Sequence, residues 1–372
     1  MSSLPKVKFG TEQVDRQFHQ LLTKRVNRYF KLNNITKQAN ANMVFKTIFM
    51  YLLYFTPFVL MLTGVATGWL GWTIGYVLMG WGVAGIGLSV MHDANHGSYS
   101  KYPWVNKMLG LSLNLVGGAA FTWKVQHNVL HHTYTNVYDM DEDISPRGLF
   151  RFSPDSKFRK IHRFQHLYAW FFYGALTLSW VIAKDFNRLH RYHKLGLIEK
   201  QKTTYGRELA VIIISKVVYF TYVIGLPLLF TDFSIGQIIL GFVVMHYIAG
   251  MILALIFQPA HVEESTEFFQ PNDDGKLPSA WAVHQLFTTS NFAMRSRLFT
   301  WFIGGLNYQV EHHLFPNICH VHYRKLSKIV RKTAKEFDLP YKSRPTFAHA
   351  LWYHAKLLYQ LGHPQAVPVP AK

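Results

Sequence analysis

Three histidines, His127, His131 and His132, lie within six residues of one another in "QHNVLHH". Imidazole is the commonest metal ligand because its neutral form offers a lone pair near neutral pH. On an α-helix His127 and His131 share a face while His132 points about 100° round from His131, so one helix could address two metal ions. "HDANH" repeats the i, i+4 spacing with His92 and His96. "NYQVEHHLFP" adds His312 and His313, with Gln309 three and four positions before them, and His261 in "FQPAHVEE" is a further candidate. Eight imidazoles exceed the four ligands usual for one zinc ion, so two metals are the economical reading. Nitrogen-rich ligation suits iron, zinc, copper or nickel and does not choose among them.

Carboxylates near these clusters could orient the rings by hydrogen bonds. "DMDED" supplies Asp139, Asp141, Glu142 and Asp143, of which one or two are expected in that role, Asp139 and Asp143 first; Asp93 and Glu311 are similar candidates, and solvated carboxylates are the plain alternative. "DMDED" also begins like an EF-hand loop, but Ile144 stands where that loop needs glycine and Phe150 where it needs glutamate. His162 and His166 in "HRFQH" suit head-group contact or packing. His190 and His193 sit among Arg188, Arg191 and Lys194 on what reads as a solvated basic face.

The clusters are distributed around apolar segments of membrane-crossing length. Residues 44–66, 69–90, 210–230 and 234–257 each approach the ~20 apolar residues that cross a bilayer core. No Lys or Arg occurs between Lys46 and Lys101, nor between Lys216 and Lys276. The four segments therefore read as two hairpins whose turns face away from the basic side, which puts the histidine clusters and both termini in the cytoplasm. A fifth stretch, 167–183, could cross on length, but a fifth crossing would put "QVEHH" on the opposite face from the other clusters. It is read as interfacial or half-inserted. Residues 109–122, shorter and glycine-containing, are read as re-entrant or surface-lying. Apart from His246 and Lys216, the candidate polar groups of the predicted spans cluster at one face. Residues 263–280 form the clearest soluble loop.

Composition agrees with a chain partly solvated by lipid: 49% hydrophobic, 16% aromatic and only 16% charged residues. The net charge of +19 then favours an anionic membrane surface or anionic substrate group over nucleic acid, for which no recognition motif is present. With Cys319 as its one cysteine, the chain can form neither an internal disulfide nor an iron–sulfur cluster. The N-terminal 43 residues lack a secretory signal pattern and read as a cytosolic segment.

The set "HDANH", "HNVLHH" and "QVEHH" around two membrane hairpins resembles the three histidine boxes of the integral-membrane fatty acid desaturases. "GGLNYQVEHHLFP" is similar to the third box of the front-end branch, which inserts a double bond between an existing one and the carboxyl end. The likeness covers residues 44 to about 325. It implies two non-haem irons that activate O₂ and remove hydrogen from adjacent methylenes. His92 and His96 match box one, His127, His131 and His132 box two, and His312 and His313 box three. Gln309 stands where many relatives have histidine, and His261 matches an additional ligand by position alone. Nothing matches the fused cytochrome b5 domain of many front-end enzymes, so the resemblance implies a separate electron donor of ferredoxin or cytochrome b5 type.

The expectation is an all-α polytopic membrane protein with four transmembrane helices and a cytosolic helical cap holding a di-metal site. It is divided into a cytosolic segment 1–43, a desaturase domain 44–325 and a cytosolic segment 326–372, in a bacterial inner membrane. The expected activity is oxygen-dependent, delta-6-like desaturation of an acyl-CoA or acyl-lipid chain of linoleoyl type. Two rivals stand beside it: a di-iron acyl or alkane hydroxylase, and a metal-binding membrane transporter or sensor without catalysis.

Overall fold

The computed structural model describes residues 6–145 and 148–364. Among the described residues its regular structure is helical apart from a two-residue parallel pairing of Asn291–Phe292 with Ser343–Arg344 and isolated bridges at Lys8–Lys276 and Val137–Phe269. Four helices are long and apolar enough to cross a membrane: Ala41–Leu62, Gly68–Asn95, Tyr205–Phe230 and Ile235–His261. They overlap the four expected spans, the second and third running longer, the first ending at Leu62 rather than 66 and the fourth running on to His261, and the second and fourth carry candidate histidines at their C-termini. The described residues divide into two compact units, one of 39–125 and 171–254, the other of 6–38, 126–170 and 255–364.

The first unit is built around Gly68–Asn95, of whose apolar window 78% is buried, against 22% for Tyr205–Phe230. Without a hydrophobic driving force between helices in lipid, close backbone approach through small residues holds such bundles together. Gly82 supplies it here: a Cβ at this position would lie 2.7 Å from Cβ and 2.8 Å from Cα of Tyr54 on the first helix. On another face Gly80 meets the Met245 carbonyl at 2.7 Å in the same sense. The segment 109–122 forms short helices, Ser112–Leu115 and Ala120–Lys124, interrupted at Gly117 and Gly118. Gly117 has φ +92°, and a side chain there would strike Tyr219 and Val181, so glycine is required twice over. The stretch 167–183 lies on two helices, Lys160–Gly174 and Leu176–Lys194, bent by 60° at their junction.

Lys216 and His246, inside the third and fourth helices, are both satisfied. Lys216 Nζ donates to the carbonyls of Gly117 (3.0 Å) and Val181 (2.7 Å) and to Asp185 Oδ2 (2.9 Å). Asp185 Oδ1 accepts from Thr122 Oγ1 (2.6 Å) and Trp180 Nε1 (2.8 Å). His246 Nε2 meets Tyr219 Oη at 2.6 Å and its Nδ1 meets Thr177 Oγ1 at 3.2 Å. A buried charge is tolerated when paired and hydrogen-bonded in this way. These groups cross-link helices inside the unit and do not form a path of ligands.

The second unit has a conventional apolar core. Gln13–Leu32 buries Phe18, Leu22, Val26 and Phe30, spaced four apart along one face. They pack with Leu326, Val330 and Ala334 of Tyr323–Glu336, with Val283 and Leu286 of Trp281–Thr288, and with Val310 and Leu314 of Gln309–Leu314. Arg25 reinforces the contact through Thr333 (2.9 Å) and Glu336 (2.6 Å). The loop expected over 263–280 runs without helix and is pinned where Phe269 N donates to Asn136 O. His162 caps a short helix at Arg159, and His193 contacts Glu199 at 3.1 Å. Neither belongs to a metal-binding group among the described residues.

Candidate metal centre

In the first unit the second span continues past its apolar run to Asn95, through a π-helical turn at Ile86–Met91. His92 rides on this helix and His96 caps it, donating its N–H to His92 O at 3.1 Å. The i, i+4 spacing brings their rings to 4.8 Å, with the edge of Trp123 against both. Asp93 Oδ1 stands 3.9 Å from His92 Nδ1, both groups buried.

In the second unit the segment Val125–His131 is π-helical. This differs from the α-helical geometry expected for "HNVLHH". With one more residue per turn, the N–H of His132 bonds to the carbonyl of His127 at 2.9 Å, which puts these two in one column. Their Nε2 atoms lie 3.2 Å apart, and His312 Nε2 lies 2.9 Å from that of His132. His131 instead joins His261 and His313, with ligand atoms all within 4.8 Å of one another. One helical turn does address two groups of imidazoles, but through i, i+5 pairing.

The group of His131, His261 and His313 passes a direct test of fitness for a metal. Each ring is held at Nδ1: His131 by Asp141 (3.0 and 3.1 Å), His313 by Gln285 Oε1 (2.9 Å), His261 by the Thr288 carbonyl (3.2 Å). An acceptor at Nδ1 fixes the proton there and turns the Nε2 lone pair toward the shared space. The Nε2 atoms of His261 and His313 are buried and have no hydrogen-bond partner among the described residues. Such orphaned acceptors are costly unless something binds them. A cation fits; a proton does not, because burial and the neighbouring rings push His313 well below its usual range. At His131 burial also opposes the charged form, but Asp141, with Asp143 behind it, outweighs that and raises the group to about 9. The same carboxylates make its ring a stronger donor to a metal.

The remaining candidates are placed as follows. Gln309 is buried at the head of Gln309–Leu314 and comes near His261, without a hydrogen bond of ordinary geometry among the described residues. Asp139 is exposed, its backbone at φ +62°, and contacts none of the rings, whereas Asp141 takes the place expected of it. Asp143 accepts from Gln126 Nε2 and stands 3.5 Å from His131 Nδ1. Glu311 binds Asn291 Nδ2 (2.9 Å) and Tyr341 Oη (2.8 Å) rather than an imidazole. Burial raises it to about 7. Three partners carry no local signal in sequence: Gln285, Thr288, and Tyr323, whose Oη lies 3.2 Å from His312 Nδ1.

Residues 67–345 match the sequence model of the fatty acid desaturase family. The chain belongs to that family. Among its relatives is the sn-1 linoleoyl-lipid 6-desaturase of Synechocystis sp., 36% identical over 97% of this chain and 99% of the relative. The protein of the same name from Arthrospira platensis is 34% identical over 94% and 93%. An acyl-lipid (8-3)-desaturase of Physcomitrium patens is 36% identical over 94% of this chain and 72% of its own length. The desaturase is thus an oxidoreductase of membrane lipid metabolism carrying histidine clusters able to hold metal. The hydroxylase and the transporter readings are superseded.

Proposed function

We propose that this desaturase introduces a cis double bond at carbon 6 of a linoleoyl chain esterified to a glycerolipid, the front-end position. The observation that carries this reading is the match, over 97% and 94% of the chain and 99% and 93% of the relatives, to two proteins named for that activity. The balance is one acyl chain, O₂, two electrons and two protons giving the new alkene and two waters. The (8-3)-desaturase relative, at 36% identity, favours a second reading in which the bond forms elsewhere toward the carboxyl end.

The eight histidines His92, His96, His127, His131, His132, His261, His312 and His313 would hold two irons, with Gln309 as a ninth candidate position. Bound iron supplies O₂ activation and the removal of two hydrogens from unactivated methylenes, beyond the reach of side-chain acid–base chemistry. The chain's own residues do the rest. Asp141, Gln285 and the Thr288 carbonyl hold protons on Nδ1 of three rings, so that the Nε2 atoms stay free to ligate. Tyr323 steadies His312. Burial of all six rings in the second unit excludes bulk water. Electrons come from a separate carrier of ferredoxin or cytochrome b5 type. The protein is assigned to a bacterial inner membrane, and the distribution of Lys and Arg supports termini on its cytoplasmic side.

The test is expression of the full chain in a bacterial host supplied with linoleate, followed by separation of lipid classes and location of the double bonds by mass spectrometry. A 6,9,12-triene appearing first in intact glycerolipid supports the reading. A new bond at another carbon, a triene appearing first in acyl-CoA, or an alcohol product would each replace it.

A further inference from the structure

The helix Tyr323–Glu336 turns Tyr323, Leu326, Val330 and Ala334 into the core and leaves Arg324, Lys325, Lys328, Arg331, Lys332 and Lys335 exposed. Its one carboxylate, Glu336, is engaged by Arg25. Beside it opens a cavity of about 550 Å³ lined by Arg295, Arg324, Lys328, Arg331 and Arg344, with no acidic residue in the wall. Arg344 is fixed by Glu263 at 2.5 Å and lies over the Tyr353 ring. Among the described residues no carboxylate pairs with the other four cations.

This cavity is also the back of the helix that bears His312 and His313. Tyr308, in its wall, immediately precedes Gln309. Tyr341, also in the wall, donates to Glu311 at 2.8 Å. Tyr323, the neighbour of Arg324, reaches His312 Nδ1 at 3.2 Å. A single side chain therefore separates the basic face from a candidate ligand ring. Between Leu298 and Trp352 no large apolar side chain is exposed among the described residues. A face made to lie on lipid presents apolar groups among its cations; charge alone suits a soluble acidic protein, whose encounter it would steer.

We propose that this basic face docks an acidic one-electron carrier protein and that the Tyr323–His312 contact is the short route from it to the centre. The proposal rests on the desaturase reading above, in which two carrier molecules are each oxidised by one electron per double bond. Those electrons, with two protons and the two hydrogens removed from the chain, reduce O₂ to two waters.

The experiment uses the full chain in lipid nanodiscs, an acidic [2Fe–2S] ferredoxin as probe, and the variant Arg324→Glu/Lys328→Glu/Arg331→Glu, altered only at exposed positions. Ferredoxin affinity is read by fluorescence anisotropy at low and high salt. Turnover is measured with reduced ferredoxin and, separately, with dithionite and a small mediator. The expected result is a rise of about tenfold or more in both Kd and KM for ferredoxin, within the range of electrostatic steering, with turnover at saturating ferredoxin and with dithionite retained. Wild-type affinity should fall as salt rises. Unchanged Kd overturns the proposal, as does an equal loss with dithionite, which would mark the positions as structural. An effect confined to nanodiscs of anionic lipid assigns the face to head groups and overturns it too. If no form makes product with either reductant, the desaturase reading fails, while the anisotropy still decides whether ferredoxin docks here.

Discussion

Replacing Asp141 by asparagine removes one charge and almost no volume, and its effect can be worked from four distances. Asp141 Oδ2 lies 3.0 Å from His131 Nδ1 and 3.0 Å from the N–H nitrogen of Asn136; Oδ1 lies 3.1 Å from His131 Nδ1 and 2.9 Å from the N–H nitrogen of Asp143. All three partners are donors. Either orientation of an asparagine amide therefore sets an NH₂ against a backbone N–H, and a buried donor left unsatisfied costs roughly 1–3 kcal/mol. At the ring the loss is of basicity and tautomer control, where removal of such a partner weakens metal binding about 10–100-fold, or about 1.4–2.7 kcal/mol. Purified Asp141→Asn should lose iron to a competing chelator at correspondingly lower concentration, and its desaturation in cells should fall with its iron content. Asp139→Asn, at an exposed residue two positions away, should match wild type in both measurements. Full iron retention by Asp141→Asn, or equal loss in the two variants, would refute the assignment of Asp141 as the residue that orients His131.

Lys216→Met leaves the Asp185 carboxylate buried without its cation, and breaking such a pair costs about 3–5 kcal/mol; the detergent-solubilised variant should show a much lower Tm, with partial recovery in Lys216→Met/Asp185→Asn. Gly82→Ala should lose about 1–3 kcal/mol by overpacking against Tyr54, whereas Gly206→Ala, which meets nothing within 4 Å, should be neutral or slightly stabilising by chemical denaturation. His354 is buried with Nδ1 at 2.5 Å from the Val262 carbonyl, and burial lowers it to about 4 from 6.5. A lowered folded pKa on a base gives stability that is complete above 6.5 and is lost as pH falls toward 4. Going from pH 7 to pH 5 should therefore cost wild type about 2 kcal/mol through this group, and His354→Gln should flatten that part of the pH dependence of Tm.

The four spans were legible because bilayer thickness imposes about twenty apolar residues on any crossing helix, and each helix overlaps its expected segment with ends displaced by no more than five residues. The histidines were legible by type and by spacing. The π turn of Val125–His131 was not, because one additional residue per turn leaves no mark in composition; it alters only which rings stack in a column. Asp139 and Asp141 look alike in "DMDED", and the left-handed backbone at Asp139 is what separates an exposed carboxylate from one held against His131. Gln285 and Thr288 lie in "WAVHQLFT", more than twenty residues from any histidine they serve, and only tertiary packing brings them there. Lys216 read as an anomaly within an apolar run because its partner, Asp185, lies 31 residues earlier.

The anchors on Nδ1 of His131, His261 and His313 are all atoms of the polypeptide. A ring already held by a carboxylate, an amide or a carbonyl does not wait for iron to find its orientation. Folding alone therefore aims these three rings, and the Nε2 atoms face their shared space before any metal arrives.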